Sequence, residues 1–242
     1  MQRSRLDAGT SGAIHGQPDM EGPLRDQISG AVSRALEPLS DALAGWEGGS
    51  AAFGLIDNYS DVDLFFLVND NASAEPLYAA VEDALRGVSP LVASHYVAPG
   101  RYYQLEAAGE YLVVDLCLLC VGDPDHHLDI ERHGHVRPLF DKGDWLRARP
   151  GARVEVESKR VQRCQEVRAW FVLSQGFARK AIWRGRQAEA LAAYWAATLK
   201  PLADLLRIRY CPARWDFGMR DRRRLGQSTS ERARRPGGWR RV

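Results

Sequence analysis

Asp61 and Asp63 stand two residues apart in Ser60-Asp61-Val62-Asp63-Leu64-Phe65-Phe66-Leu67-Val68, a run of β-formers. Side chains alternate faces along a strand, so both carboxylates point the same way, with Cα atoms roughly 6.5–7 Å apart. Two carboxylates brought to 4 Å repel by about 4 kcal/mol at an effective dielectric near 20, a cost that a cation between them removes. All-oxygen ligands point to Mg²⁺ or Mn²⁺. Asp115 is the only charge within the apolar run Tyr111-Leu112-Val113-Val114-Asp115-Leu116-Cys117-Leu118-Leu119. An ionised carboxylate in such a strand is expensive to desolvate without a partner, which puts its natural place beside Asp61 and Asp63. Three carboxylates can hold two divalent cations, one activating a hydroxyl and one steadying phosphate oxygens. Eleven residues before Asp61, Gly48-Gly49-Ser50 forms a turn whose glycines allow close approach to phosphate and whose N–H groups and Ser50 hydroxyl can donate to it.

The elements around these residues follow from periodicity. Leu24, Ile28, Val32, Leu36, Leu39 and Leu43 recur at helical spacing, predicting a helix from Pro23 to about Leu43 that feeds the glycine turn. Asn69-Asp70-Asn71 ends the aspartate strand, and a second amphipathic helix is expected from Glu75 to about Val88. Strands are expected at Leu91–Val97, Arg101–Leu105 and Tyr111–Leu119. From Arg153 the pattern turns helical, with long helices over Val161–Ile182 and Gln187–Leu206 and a kink or break at Pro201. The expected fold is α/β (α+β): an N-terminal mixed sheet with flanking helices over residues 22–150, then a C-terminal helical bundle over 151–219. A disordered leader (1–21) and an unpacked Arg-rich tail (220–242) complete the division.

Composition narrows the function classes. No stretch of about 18 uncharged apolar residues occurs, and the N-terminus lacks an apolar signal core, so a cytoplasmic protein without a membrane partner is expected. Four cysteines in 242 residues do not make a disulfide framework. Residues 220–242 carry nine Arg against Asp221 and Glu231, a net +7; the whole chain is +2, so residues 1–219 carry −5. That acidic body argues against duplex binding.

In these motifs the chain resembles the nucleotidyltransferase superfamily that includes DNA polymerase beta, and more narrowly the small bacterial nucleotidyltransferases acting on aminoglycosides or lincosamides. The resemblance spans roughly Leu24 to Arg220. It rests on Gly48 to Val68 and Tyr111 to Leu119, with weaker likeness in Leu199-Lys200-Pro201-Leu202 and Arg214-Trp215-Asp216-Phe217-Gly218. It implies that Gly49 and Ser50 hold a triphosphate and that Asp61, Asp63 and Asp115 are the catalytic, metal-binding residues. Two Mg²⁺ ions would serve, with Mn²⁺ as a substitute. ATP or another nucleoside triphosphate is the co-substrate, and the acceptor is a hydroxyl of a small molecule such as an aminoglycoside-like antibiotic. Phe53 departs from the pattern, since many relatives carry Arg there, and so does the Arg-rich tail. These motivate the alternatives of a non-catalytic, antitoxin-like member with a toxin-like protein partner, or a nucleic-acid-modifying transferase.

Other residues are candidates for roles in the same chemistry. Arg179, Lys180, Lys200, Arg207 and Arg209 are candidates to neutralise phosphate charge, and Lys180 is assigned to the nucleotide. Trp183, Tyr194 and Trp195 could stack on a base, although aromatics at this spacing are more often core. Glu131 and His133 could serve as general base, although a solvated loop is the simpler reading of their segment. Cys117, Cys120, His126, His127, His133 and His135 resemble a zinc set, but positions 117 and 120 face opposite sides of a strand.

Overall fold

The computed structural model describes residues 21–97, 100–122, 128–147 and 153–217. The expectations for the leader and the tail fall outside these residues, apart from Glu21. Helix α1 runs Glu21–Leu36 and buries Ile28, Val32 and Leu36, the i, i+4, i+8 positions of its apolar stripe. It ends seven residues earlier than periodicity predicts. Pro38 disfavours helical backbone at Glu37, and Leu43 belongs instead to strand β1, Ala42–Glu47.

Strand β1 is unexpected because Ala-Leu-Ala-Gly-Trp-Glu has little β propensity. Packing requires its small residues: a methyl on Gly45 would fall 2.5 Å from the Phe66 ring and 3.0 Å from that of Phe140. After β1 come a single helical turn α2 (Gly49–Ala52), strand β2 (Val62–Val68) and helix α3 (Ala74–Val88). Strands β3 (Leu91–Val97), β4 (Gly100–Leu105) and β5 (Val113–Cys120) follow close to the expected limits. A sixth strand, β6 (Arg137–Asp141), lies in a segment expected to be a polar loop. It is an edge strand, where Pro138 deprives no inner ladder of a donor.

The sheet is mixed, in the order β3-β4-β5-β2-β1-β6, with β2 and β5 parallel and the other neighbours antiparallel. Alternation divides its faces. Val62, Leu64, Phe66 and Val68 of β2 join Val114, Leu116 and Leu118 of β5 in one core with Ile28, Val32 and Leu36 of α1 and Leu77, Tyr78, Val81 and Leu85 of α3. Asp63, Phe65, Asp115 and Cys117 take the other face. Cys117 and Cys120 therefore point oppositely, and all four cysteines are free thiols.

The chain divides into two compact units, and the division is not a single cut. The sheet unit ends at Val121 and regains Val136–Trp145, whereas Gly122–His135 goes with the helical unit that continues from Leu146. The reason is α4 (Ile130–His133), a short helix capped by Asp129 where a loop is expected. Its Arg132 forms two hydrogen bonds to the Asp216 carboxylate, 2.8 and 3.0 Å, and one to Ala213 O at 2.9 Å.

The helical unit contains α5 (Arg153–Trp183), α6 (Gln187–Tyr194) and α7 (Lys200–Tyr210). A π-helical turn, Trp195–Leu199, joins α6 to α7 just ahead of Pro201. Proline has no N–H to give the carbonyl four residues back. That carbonyl, Ala197 O, accepts from Gln175 Nε2 at 3.1 Å, and Thr198 Oγ1 donates to Gln175 Oε1 at 2.8 Å. The expected break at Pro201 thus appears as a wider turn repaired by a side-chain amide. No described helix is long and apolar enough to cross a membrane.

Candidate active site

Parallel pairing of β2 with β5 sets Asp63 directly opposite Asp115. Both lie on the sheet face opposite the core, and both are half-buried. Asp61, also half-buried, immediately precedes the first residue of β2. Gly48 N–H donates to Asp63 O at 2.9 Å, fastening the glycine segment to the aspartate strand.

Gly49 has φ +52°, a conformation that side-chain-bearing residues rarely adopt, and it lies against Asp63. A methyl there would come 1.7 Å from Asp63 Oδ2 and 2.4 Å from its Cγ. Within α2, Ser50 O accepts from Phe53 N at 3.3 Å and Leu55 N at 2.9 Å, closing the turn. Phe53 thereby serves the turn through its backbone, which any residue type could do. Ser50 Oγ is buried and has no hydrogen-bond partner among the described residues. Leaving a buried hydroxyl unsatisfied costs about 1–3 kcal/mol, which suits a donor kept for a ligand.

The donor types suit a hard divalent cation, with carboxylates aligned on neighbouring strands. Among the described residues, no three His, Cys, Asp or Glu side chains are gathered closely enough to hold a metal ion. Asp63 and Asp115 are thus aligned by the ladder, and Asp61 flanks them without completing a three-carboxylate cage.

Sequence reasoning missed two charged residues next to this site. Arg25 of α1 and Glu47 at the end of β1 are 6% and 1% exposed, and they pair at 3.2 Å. A signal was present, since Arg25 interrupts the apolar stripe of α1 and Glu47 directly precedes the glycine turn. On the sheet face that carries Asp63, Trp46 stacks on Phe65 with centroids 5.7 Å apart.

The remaining candidates all lie in the helical unit. Lys180 is exposed on α5, its Nζ 6.0 Å from the Phe177 ring centre. Arg179 stands over the Trp183 ring at 5.4 Å. Lys200 pairs with Asp204 at 3.0 Å. Arg207 is buried and donates to Trp215 O at 2.9 Å and to Arg214 O, so it closes the chain after α7. Arg209 lies 5.5 Å from the Tyr210 ring. Trp183, Tyr194 and Trp195 are exposed, contrary to the core placement that their spacing suggests. His133 Nδ1 accepts from Asp129 N–H at 2.9 Å, and Glu131 N–H donates to Asp129 Oδ1 at 2.8 Å, as parts of the α4 cap. His126 and His127 lie outside the described residues.

No protein-family model matches the chain, and no curated protein is significantly similar to it.

Proposed function

We propose that the sheet unit is the catalytic part of a nucleotidyltransferase that moves AMP from ATP onto a hydroxyl of a small molecule, with release of pyrophosphate. The observation that carries this reading is the packing of Gly49 against Asp63, in register with Asp115, because it unites a phosphate-sized turn with paired carboxylates. Asp61, Asp63 and Asp115 would hold two Mg²⁺ ions, which when bound supply hydroxyl activation and charge neutralisation. Ser50 donates its hydroxyl to a phosphate oxygen, and Gly49, having no side chain, lets the turn pack against the Asp63 carboxylate. Phosphoryl transfer depends mainly on positioning and electrostatics, and these residues supply both.

The test incubates the full chain with Mg²⁺, labelled ATP and a panel of aminoglycosides, lincosamides and nucleic acids. Labelled small-molecule product with one pyrophosphate per transfer is expected. Asp63→Asn and Asp115→Asn should each lower transfer about a hundredfold or more, since even partners of metal ligands contribute about 10–100-fold. Gly49→Ala should also lose transfer, because its methyl and the Asp63 carboxylate need the same space. Equal transfer by the parent and the Asp63→Asn variant would refute the site. No label transfer to any acceptor, together with a stoichiometric protein partner in a pull-down, would favour the non-catalytic reading.

A further inference from the structure

Two peptide carbonyls just ahead of β2 hang on one guanidinium. Arg25 Nη1 donates to Ser60 O, and Nη2 donates to Asp61 O at 2.8 Å. The β2–β5 ladder begins only at Val62 opposite Val114, so Arg25 takes up at Asp61 where strand pairing stops. The same Nη2 lies 3.2 Å from Glu47 Oε1. Glu47 is in turn held by Ser29 Oγ, 3.5 Å away, and by Arg137 Nη1 at 3.4 Å. Glu47 is the residue before Gly48, so this buried pair reaches both ends of the candidate site: the glycine turn through β1, and the Asp61 peptide through its carbonyl.

A buried ion pair is a poor device for stability alone, because desolvation offsets the Coulombic gain. Its merit here is geometric. A guanidinium is a rigid planar fork that can serve several acceptors at fixed angles, whereas the lysine ammonium is a compact donor on a flexible stem. We propose that Arg25, fixed by Glu47, is the positioning residue for Asp61: by holding the Ser60 and Asp61 carbonyls, it sets where the Asp61 carboxylate stands relative to Asp63 and Asp115. The inference rests on the two-metal nucleotidyltransferase reading.

The test measures binding of Mn²⁺ alone to the full chain by water-proton relaxation, with folding of every variant checked by circular dichroism. The wild type should bind Mn²⁺, and Asp63→Asn should not. Arg25→Lys, which keeps the charge and loses the fork, should weaken Mn²⁺ binding about 10–100-fold, as other partners of metal ligands do. Arg86→Met should leave Kd within about twofold, because Arg86 pairs with Glu82 and Asp83 on α3 and touches neither Glu47 nor the two carbonyls. If Arg25→Lys does not fold, Glu47→Gln takes its place; its amide oxygen still accepts from Nη2, and a severalfold loss is expected. A wild-type affinity in a folded Arg25→Lys or Glu47→Gln variant, or an equal loss in Arg86→Met, would overturn the assignment of Arg25 and leave the nucleotidyltransferase reading standing. Failure of the wild type to bind Mn²⁺ would overturn both.

Discussion

The sheet unit and the helical unit treat their apolar residues in opposite ways. In the sheet unit, Phe66, Leu64, Leu116 and Ile28 are fully buried between strands and helices of the same unit. In the helical unit, four consecutive apolar residues, Trp170-Phe171-Val172-Leu173, are all exposed, as are Phe177, Ile182 and Trp183. Four successive residues point in every direction around a helix, so no single packing partner could cover them. What is buried in α5 is smaller: Val167, Ser174, Ala178 and Ala181. The candidate chemistry rides on the unit with the complete core, as expected where carboxylates must be held in fixed register. The helical unit relies more heavily on specific polar ties, among them Gln175 to the π-helical turn and Arg163 to Asp204.

The sharpest way to break this comparison is to truncate one large side chain in each unit. Phe66→Ala should destabilise the sheet unit by about 3–5 kcal/mol, because a fully buried ring leaves a cavity. Trp183, a larger residue but 75% exposed, should cost within about 0.5 kcal/mol on truncation to alanine. Amide exchange read on β2 for the first and on α5 for the second keeps the units apart. Comparable losses in both would mean that the helical unit's apolar surface is buried in solution.

A smaller effect should follow from the polar ties. Asp204 is buried and accepts from Arg163 Nε and Nη2 at 3.0 and 2.9 Å, and from Lys200 Nζ at 3.0 Å. Asp204→Ala leaves Arg163 with Glu166 alone and should loosen α5 against α7 by about 1–3 kcal/mol. Gln175→Leu should cost about 1–2 kcal/mol, because Ala197 O loses the donor that replaces the missing N–H of Pro201. Its exchange effect should be confined to Trp195–Leu199 and the helix ends beside it. An effect spread evenly over α5 would show that the amide holds more than the turn.

How far the fold was legible depended on whether local pattern and packing agreed. Strands β2 to β5 and helix α3 declare themselves, because their β-branched or apolar runs and the break at Asn69 coincide with the elements' own limits. Strand β1 does not, because the demand on Gly45 comes from Phe66 and Phe140, which are distant in sequence. Leu39 and Leu43 continued the helical period by coincidence, and only the backbone restriction before Pro38 could have signalled the end of α1. At the site, alternation placed Asp61 and Asp63 on one face and the cost of desolvation put Asp115 beside them, but the parallel register that sets Asp63 opposite Asp115 is a long-range fact. Arg25 was overlooked because a charge in an amphipathic helix ordinarily faces solvent, as its neighbour Asp26 does. Its partner Glu47 lies on the strand that was missed.

The smallest expected effect concerns the tie that gives Gly122–His135 to the helical unit. Burial by itself would raise the Asp216 carboxyl, but the hydrogen bonds and charge of Arg132 override it and hold the group below the ordinary value of 3.8. A carboxylate depressed on folding adds stability that is complete above its unfolded value and disappears as pH falls through the lower folded one. The tie should therefore be intact at neutral pH and fail only below about pH 4. The ¹³C shift of the Asp216 carboxyl should titrate with a midpoint under 3.8, and Arg132→Gln should raise that midpoint, because burial then acts without its opposing charge. Arg132 also stacks over the Phe217 ring at 4.4 Å, so the variant should release that ring together with Asp216. A wild-type midpoint above the ordinary carboxylate value would mean that burial outweighs Arg132, and the Arg132–Asp216 pair could then no longer account for the union of α4 with the helical unit.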